Sequence, residues 1–342
     1  MNGVPKQKKN LKRGLWIIVA IIAFLVIGGS GGWYYAAGIF DKEVEKLQQR
    51  MLARNQIVDC ENHQIRGFPF RIGVFCDSIT IENPKKRQKL DSGAVRMAAQ
   101  IYDPGKFILE FDGPAHFSDP KLGQFQIDWQ SLRSSVRANL GGIERTSVVS
   151  NATTITNGDS TTPILSAETL ELHARKVAED DLELAIGGRN LTLAIVPASR
   201  ETVSKPFQIS IQMTGNNLYG AAQKNLNLIR HIQENGGSGQ LTSFKLESPD
   251  GGILKLTGPV SVGIDGQLSA KLEVSIAGVK SLIQFFSTFA PTSQKTMDQI
   301  ELAVDMFTTK TESEEFRKFQ IQINNGEVFL GLFPLGRIPP IF

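Results

Sequence analysis

Two hydrophobic patterns divide the chain. From Gly14 to Phe40 no residue is charged, and Leu15 to Ile27 is apolar without interruption. Beyond Ile57 the dominant period is two. Phe125, Ile127 and Trp129 alternate with Gln124, Gln126 and Asp128, and Phe207, Ile209, Ile211 and Met213 alternate with Gln208, Ser210 and Gln212. Leu268, Ala270, Leu272, Val274 and Ile276 alternate with Ser269, Lys271, Glu273 and Ser275. The first pattern predicts a membrane-crossing helix, since a hydrocarbon core of about 30 Å needs roughly 20 helical residues. The second predicts antiparallel strands with one apolar and one wet face.

Turn chemistry punctuates the alternating region at Asp103-Pro104-Gly105, Gly187-Gly188-Arg189-Asn190, Pro249-Asp250-Gly251, Asp265-Gly266 and Asn324-Asn325-Gly326. Helical spacing returns over Asn216–Glu234, Val279–Phe289 and Gln294–Phe307. Asp41–Arg54 is rich in helix formers, with Val44, Leu47 and Met51 on one stripe, and is expected to continue the span as a short stalk. The fold class expected is α+β, mainly antiparallel β: a transmembrane helix, then a curved one-faced sheet with a few packing helices. Ser78–Pro84 resembles Ser243–Pro249, and Gly113-Pro114 followed by Gly123-Gln124-Phe125 resembles Gly258-Pro259 followed by Gly266-Gln267-Leu268. This faint repeat raises two related lobes as an alternative to chance similarity. The organisation expected is a basic tail (1–13), an anchor (14–40), a stalk (41–56), a first β-rich lobe (57–200) and a second with helices (201–342).

Charge orients the span. Lys6, Lys8, Lys9, Lys12 and Arg13 precede it with no acidic residue among them, which places the N-terminus in the cytoplasm and exports the remainder. Trp33-Tyr34-Tyr35 suits the far interface. A cleaved signal peptide ending at Ala36-Ala37-Gly38 is the competing reading, but the glycine and aromatic segment ahead of that site is long for one. The net charge of +3 reflects the tail, without which 32 basic residues face 34 acidic ones. Such balance carries no nucleic-acid footprint.

Cys60 and Cys76 lie symmetrically about Phe68 in the turn-like Arg66-Gly67-Phe68-Pro69-Phe70, and a hairpin of Asp59–Arg66 with Phe70–Ile81 would set them face to face. An exported domain favours the bridge, worth roughly 3 kcal/mol for so short a loop. Gly28-Gly29-Ser30-Gly31-Gly32 matches a nucleophile-elbow pattern but lies within the span, without the strand-turn-helix setting that motif needs. Its Gly28 and Gly32 fit close helix approach. His63, His116, His173 and His231 are scattered, with no second ligand at metal spacing. No catalytic residue, metal or cofactor is expected. Lys85-Lys86-Arg87-Gln88-Lys89 reads as a solvated turn, with anionic headgroups as the functional alternative.

Two further segments carry a resemblance: Cys60 to Cys76-Asp77, through Arg66-Gly67-Phe68-Pro69-Phe70, and the C-terminal Gly331-Leu332-Phe333-Pro334-Leu335-Gly336-Arg337-Ile338-Pro339-Pro340. With the anchor they resemble an alphaproteobacterial family of single-pass envelope proteins classed as a domain of unknown function (2125). The resemblance implies a Gram-negative inner membrane and a periplasmic domain, and it supplies no catalytic residues. An anchor followed by a one-faced meander is also similar in architecture to the AsmA-like envelope proteins, associated with lipid movement. The function expected is non-enzymatic: an apolar groove for a lipid-like ligand, lined by Phe125, Ile127, Trp129, Phe207, Ile209 and Ile211, in envelope maintenance. Ordinary core is the alternative for each of these side chains. A scaffold acting through envelope protein partners is the alternative for the whole.

Overall fold

The computed structural model describes residues 11–158, 160, 162–178, 180–195, 202–224, 228–289 and 316–342. The span and the stalk are one helix, α1 (Leu11–Ala53), whose 43 residues reach about 65 Å at 1.5 Å each. Trp33 and Ala37 are its buried positions, while Leu47 of the expected stripe stays exposed.

The sheet begins as five long strands, each interrupted once: β1 (Ile57–Glu61) with β2 (Gln64–Arg66), β3 (Arg71–Cys76) with β4 (Ser78–Asn83), β5 (Gln88–Ser92) with β6 (Val95–Gln100), β7 (Asp103–Phe111) with β8 (Ala115–Asp119), and β9 (Gly123–Asp128) with β10 (Ser131–Asn139). A sixth, β11 (Gly142–Asn157), runs through. On one side of the interruptions the pairing runs β2–β3–β6–β7–β10–β11. On the other it runs β1–β4–β5–β8–β9–β11, the same neighbours in the same order. The register of the first pair carries across the gap: Gln64 faces Phe75 and Glu61 faces Ser78. The result is a meander creased along one line. Left-handed residues mark the crease at Asn62 (φ 52°) and Ala152 (φ 49°), where pairing lapses without a shift of register.

The meander continues with β12 (Pro163–Val177), β13 (Asp181–Ile195), β14 (Thr202–Val203) and β15 (Phe207–Gly215). The short helices α2 (Tyr219–Gln223) and α3 (Leu228–Asn235) follow, then β16 (Gly237–Glu247), β17 (Ile253–Val262) and β18 (Leu268–Ala277). The helix α4 (Val279–Phe289) precedes β19 (Arg317–Asn324), β20 (Glu327–Leu330) and β21 (Phe333–Arg337). All these strands join one antiparallel, unclosed sheet that passes from β13 to β15 without a break.

Several expectations change. Gly187–Asn190 is not a hairpin turn: it lies inside β13, where ladders to β12 and β15 hold it extended around a bulge, with Asn190 at φ 49°. The turn before β7 falls on Ile101-Tyr102, so Asp103-Pro104-Gly105 opens the strand. The expected Asn216–Glu234 helix is two short helices, and the expected Gln294–Phe307 helix lies outside the described residues. The Cys60–Cys76 disulfide forms, with Cα atoms 5.3 Å apart. The two are not cross-strand partners, however, because the hairpin is centred beyond Phe68 and Cys60 faces Ile79. The bridge instead spans the crease, beside the hydrogen bond from Asn62 Nδ2 to Asp77 Oδ2.

The core lies where α4 covers the sheet. Leu282 and Phe285, three apart on its inner stripe, bury against Leu191, Phe207, Leu246, Val274 and Ile276.

Candidate functional site

Register assigns every strand residue to a face. One cross-strand row runs Ile65, Val74, Met97, Leu109, Ser134 and Val148 over β2 to β11. It continues through Leu172, Ile186, Ile211, Phe244, Leu256, Val274 and Phe319 to β19. Only Ser134 is polar in this row across 13 strands. Its ends are covered: Val74 is buried on β3, and Val274 is buried among the residues α4 touches. Its middle is open. Leu172 and Ile186 face each other across β12 and β13 with 46% and 47% of their surface exposed, and Val148 and Ile211 flank them half-buried. Two large aliphatic side chains left wet at the centre of a sheet cost burial free energy.

The opposite face is richer in polar and charged residues, though Ile108 is exposed on it. Phe75, Arg96, Glu110 and Arg133 form one row there, followed on later strands by Val149, Glu171, Gly187 and Ser210. Arg96 donates to Asp112 at the crease, one bond being 2.8 Å, and lies 3.6 Å from Glu110, which pairs with Arg133 at 3.2 Å. The hydrogen bond from Arg96 holds the Asp112 carboxyl below its ordinary value, and Asp112 in turn raises Arg96. The fork from Arg175 to Glu183, at 2.6 and 3.0 Å, lowers Glu183 in the same way. Shallow cavities open on this face. One of about 230 Å³ borders Glu171, Gly187, Arg189 and Lys245, and one of about 300 Å³ borders Lys106, Ser135, Arg137, Arg145 and Ser147.

The six residues expected to line a groove share the sheet but not a site. Ile127 faces Ala115 and Ile155, Phe125 stacks on Phe117 at 6.5 Å, and Trp129 donates to the Phe111 carbonyl at 2.8 Å beside Gly113. Phe207 and Ile209 belong to the core region under α4, with Phe207 5.0 Å from the Phe285 ring. Ile211 alone falls in the open row. Three strands separate β9 from β15, about 19 Å at the usual spacing. The only sequence signal for Leu172 is the alternation of Leu170, Leu172 and Ala174 with Glu171 and His173, which does not by itself pair it with Ile186.

The histidines remain apart. His63 lies 3.7 Å from Asp41 of α1, His173 lies 3.4 Å from Glu171, and His231 contacts Asn235. Among the described residues no three His, Cys, Asp or Glu side chains gather as a metal site. The basic cluster Lys85–Lys89 forms the β4–β5 turn and the start of β5, at the far end of its strands from Phe68.

Comparison with curated proteins and with solved structures gives no match for this chain. A family model described as an uncharacterized protein conserved in bacteria (DUF2125) matches residues 33–339, from the buried Trp33 through the last strand. The chain belongs to this DUF2125 family.

Proposed function

We propose that the protein is a non-enzymatic, single-pass inner-membrane protein whose periplasmic sheet offers its uncovered apolar face to the acyl chain of a lipid or lipid-like ligand, in envelope maintenance. The observation that carries this reading is the exposed Leu172–Ile186 pair in an otherwise apolar row. A face closed by packing would bury such a pair, as α4 buries Val274 and Leu246 further along. One helix long and apolar enough to cross a membrane, Gly14–Ala53, supports the tether. The basic residues ahead of it support a cytoplasmic N-terminus.

The test uses the full chain, because a fragment starting at Asp41 would discard Trp33 and Ala37. A photoreactive phenylalanine analogue at Ile186 or Leu172, irradiated in cells, is expected to yield an adduct of lipid mass. The same analogue at Ser210, on the polar face and outside the rim, is expected to yield none. Adducts at Ile186 with protein alone would replace this reading by the scaffold, and no adduct at either apolar position would sink both.

A further inference from the structure

The strands below the crease end in hairpin tips that share one rim with the membrane helix. The β2–β3 tip carries Phe68 and Phe70, the β6–β7 tip Ile101 and Tyr102, and the β10–β11 tip Leu140. All five side chains are exposed, Phe70 and Tyr102 by 71% and 74%. The first two tips are tied by the Ile101 amide donating to the Phe70 carbonyl at 3.1 Å. The first tip is fixed on α1: the Trp33 indole donates to the Arg71 carbonyl at 2.6 Å, and the Phe68 ring packs 5.6 Å from Trp33 and 6.3 Å from Tyr34. Arg13, the last basic residue before the uncharged run, precedes Trp33 by twenty residues. That is about 30 Å of helix, one hydrocarbon thickness. The contact at Trp33 therefore sets the rim at the depth of the interface.

A second observation lies just inside the rim. Lys106, Arg137, Arg145 and Arg175 stand directly opposite one another on four adjacent strands of the polar face. Like charges in register repel. Arg137 is paired with Asp103 and Arg175 with Glu183, but Lys106 and Arg145 have no ion pair among the described residues. Ser135 and Ser147, also opposed, place hydroxyls beside them in the 300 Å³ cavity. Cations with hydroxyl donors fit a phosphodiester oxygen. Arg137 lies three residues from Leu140, about 10 Å along the strand, so its side chain reaches headgroup level when Leu140 meets the acyl boundary.

We propose that this rim docks on the bilayer that carries α1, with Phe70, Tyr102 and Leu140 in the interface and the Lys106–Arg145 row on anionic phospholipid headgroups. Docking holds the sheet at a fixed angle to the membrane. The proposal rests on α1 as the membrane span, and not on the ligand of the apolar face.

The chain has no free cysteine among the described residues, so Leu140→Cys accepts a single environment-sensitive dye, and Lys86→Cys provides a control at the far end of the strands. The full-length variants are reconstituted in vesicles of phosphatidylcholine with or without phosphatidylglycerol. With the anionic lipid, the dye at position 140 is expected to shift to the blue and lose iodide quenching, while the dye at 86 stays accessible. One basic residue near an anionic leaflet changes binding by roughly fivefold, so Lys106→Gln with Arg145→Gln should weaken docking about 25-fold. Lys106→Arg with Arg145→Lys should restore it. A chain that floats with the vesicles but leaves position 140 accessible, or is shielded regardless of the anionic lipid and of both glutamines, overturns the proposal. A chain that does not float with the vesicles overturns the span as well.

Discussion

Truncating Phe285 to alanine tests whether α4 is a cover held by side-chain packing. Its ring sits 5.0 Å from Phe207, 5.0 Å from Phe289 and 5.5 Å from Phe286, edge-on in each case, and only 8% of the residue is exposed. A buried phenylalanine removes about 200 Å² from water, worth about 5 kcal/mol at 25 cal/mol per Å². Measured Phe→Ala losses of about 3–5 kcal/mol, which include the residual cavity, agree. An 11-residue helix is marginal alone, so the loss should fall first on local opening of α4. A loss of about 4 kcal/mol corresponds to roughly a 10³-fold rise in opening. Hydrogen exchange followed by mass spectrometry, on the full chain in detergent micelles, should show that acceleration in amides of α4. Amides pairing β3 with β6, on the far side of the sheet, should change less than threefold. Acceleration of α4 below tenfold, or equal acceleration in both places, would refute the assignment of α4 as a locally held cover.

Other perturbations read other parts of the structure. Replacing Cys60 and Cys76 together by serine should cost about 3 kcal/mol, seen as a lower melting temperature that reductant no longer changes. Asp112 has a folded pKa depressed by Arg96, so its contribution is present above the ordinary carboxylate value of about 4 and is lost as pH falls below it. Asp112→Asn should therefore flatten the acid limb of a stability–pH profile while leaving its neutral limb parallel to wild type. At Gly73 a Cβ would lie 2.1 Å from the Met97 carbonyl oxygen, so Gly73→Ala should destabilise the β3–β6 pair by about 1–3 kcal/mol in urea titrations.

The chemistry of single segments shows in the sequence; the consequences of register do not. The uncharged run after Arg13 marked α1, and Leu268–Ile276 read as β18 within a residue. Asn325-Gly326, both at positive φ, formed the turn their residue types favour. The crease left only a partial mark, in Gly93 and Gly113-Pro114 at the breaks of two of its strands. Glu61-Asn62-His63 and Ser150-Asn151-Ala152 contain neither proline nor glycine, and they bend because neighbouring strands break at the same level. Gly187-Gly188-Arg189-Asn190 carried the stronger local turn signal, yet it was overridden by ladders on both sides. The open Leu172–Ile186 pair and the basic row behind the rim emerge only when residues far apart in the chain are set opposite one another.

The crease also bears on how the molecule assembles. Although the sheet divides into 21 segments, reading β1 with β2 through β9 with β10 as single strands leaves every ladder from β1 through β13 between neighbours in the sequence. Each step closes only one hairpin, so the entropic cost of loop closure stays small and contact order stays low for so large a β structure. Such a sheet can be laid down vectorially, each emerging strand finding its template in the one before it. The growing edge is then the newest strand, and the Cys60–Cys76 disulfide ties together the first two strands, on which the rest of the sheet is built.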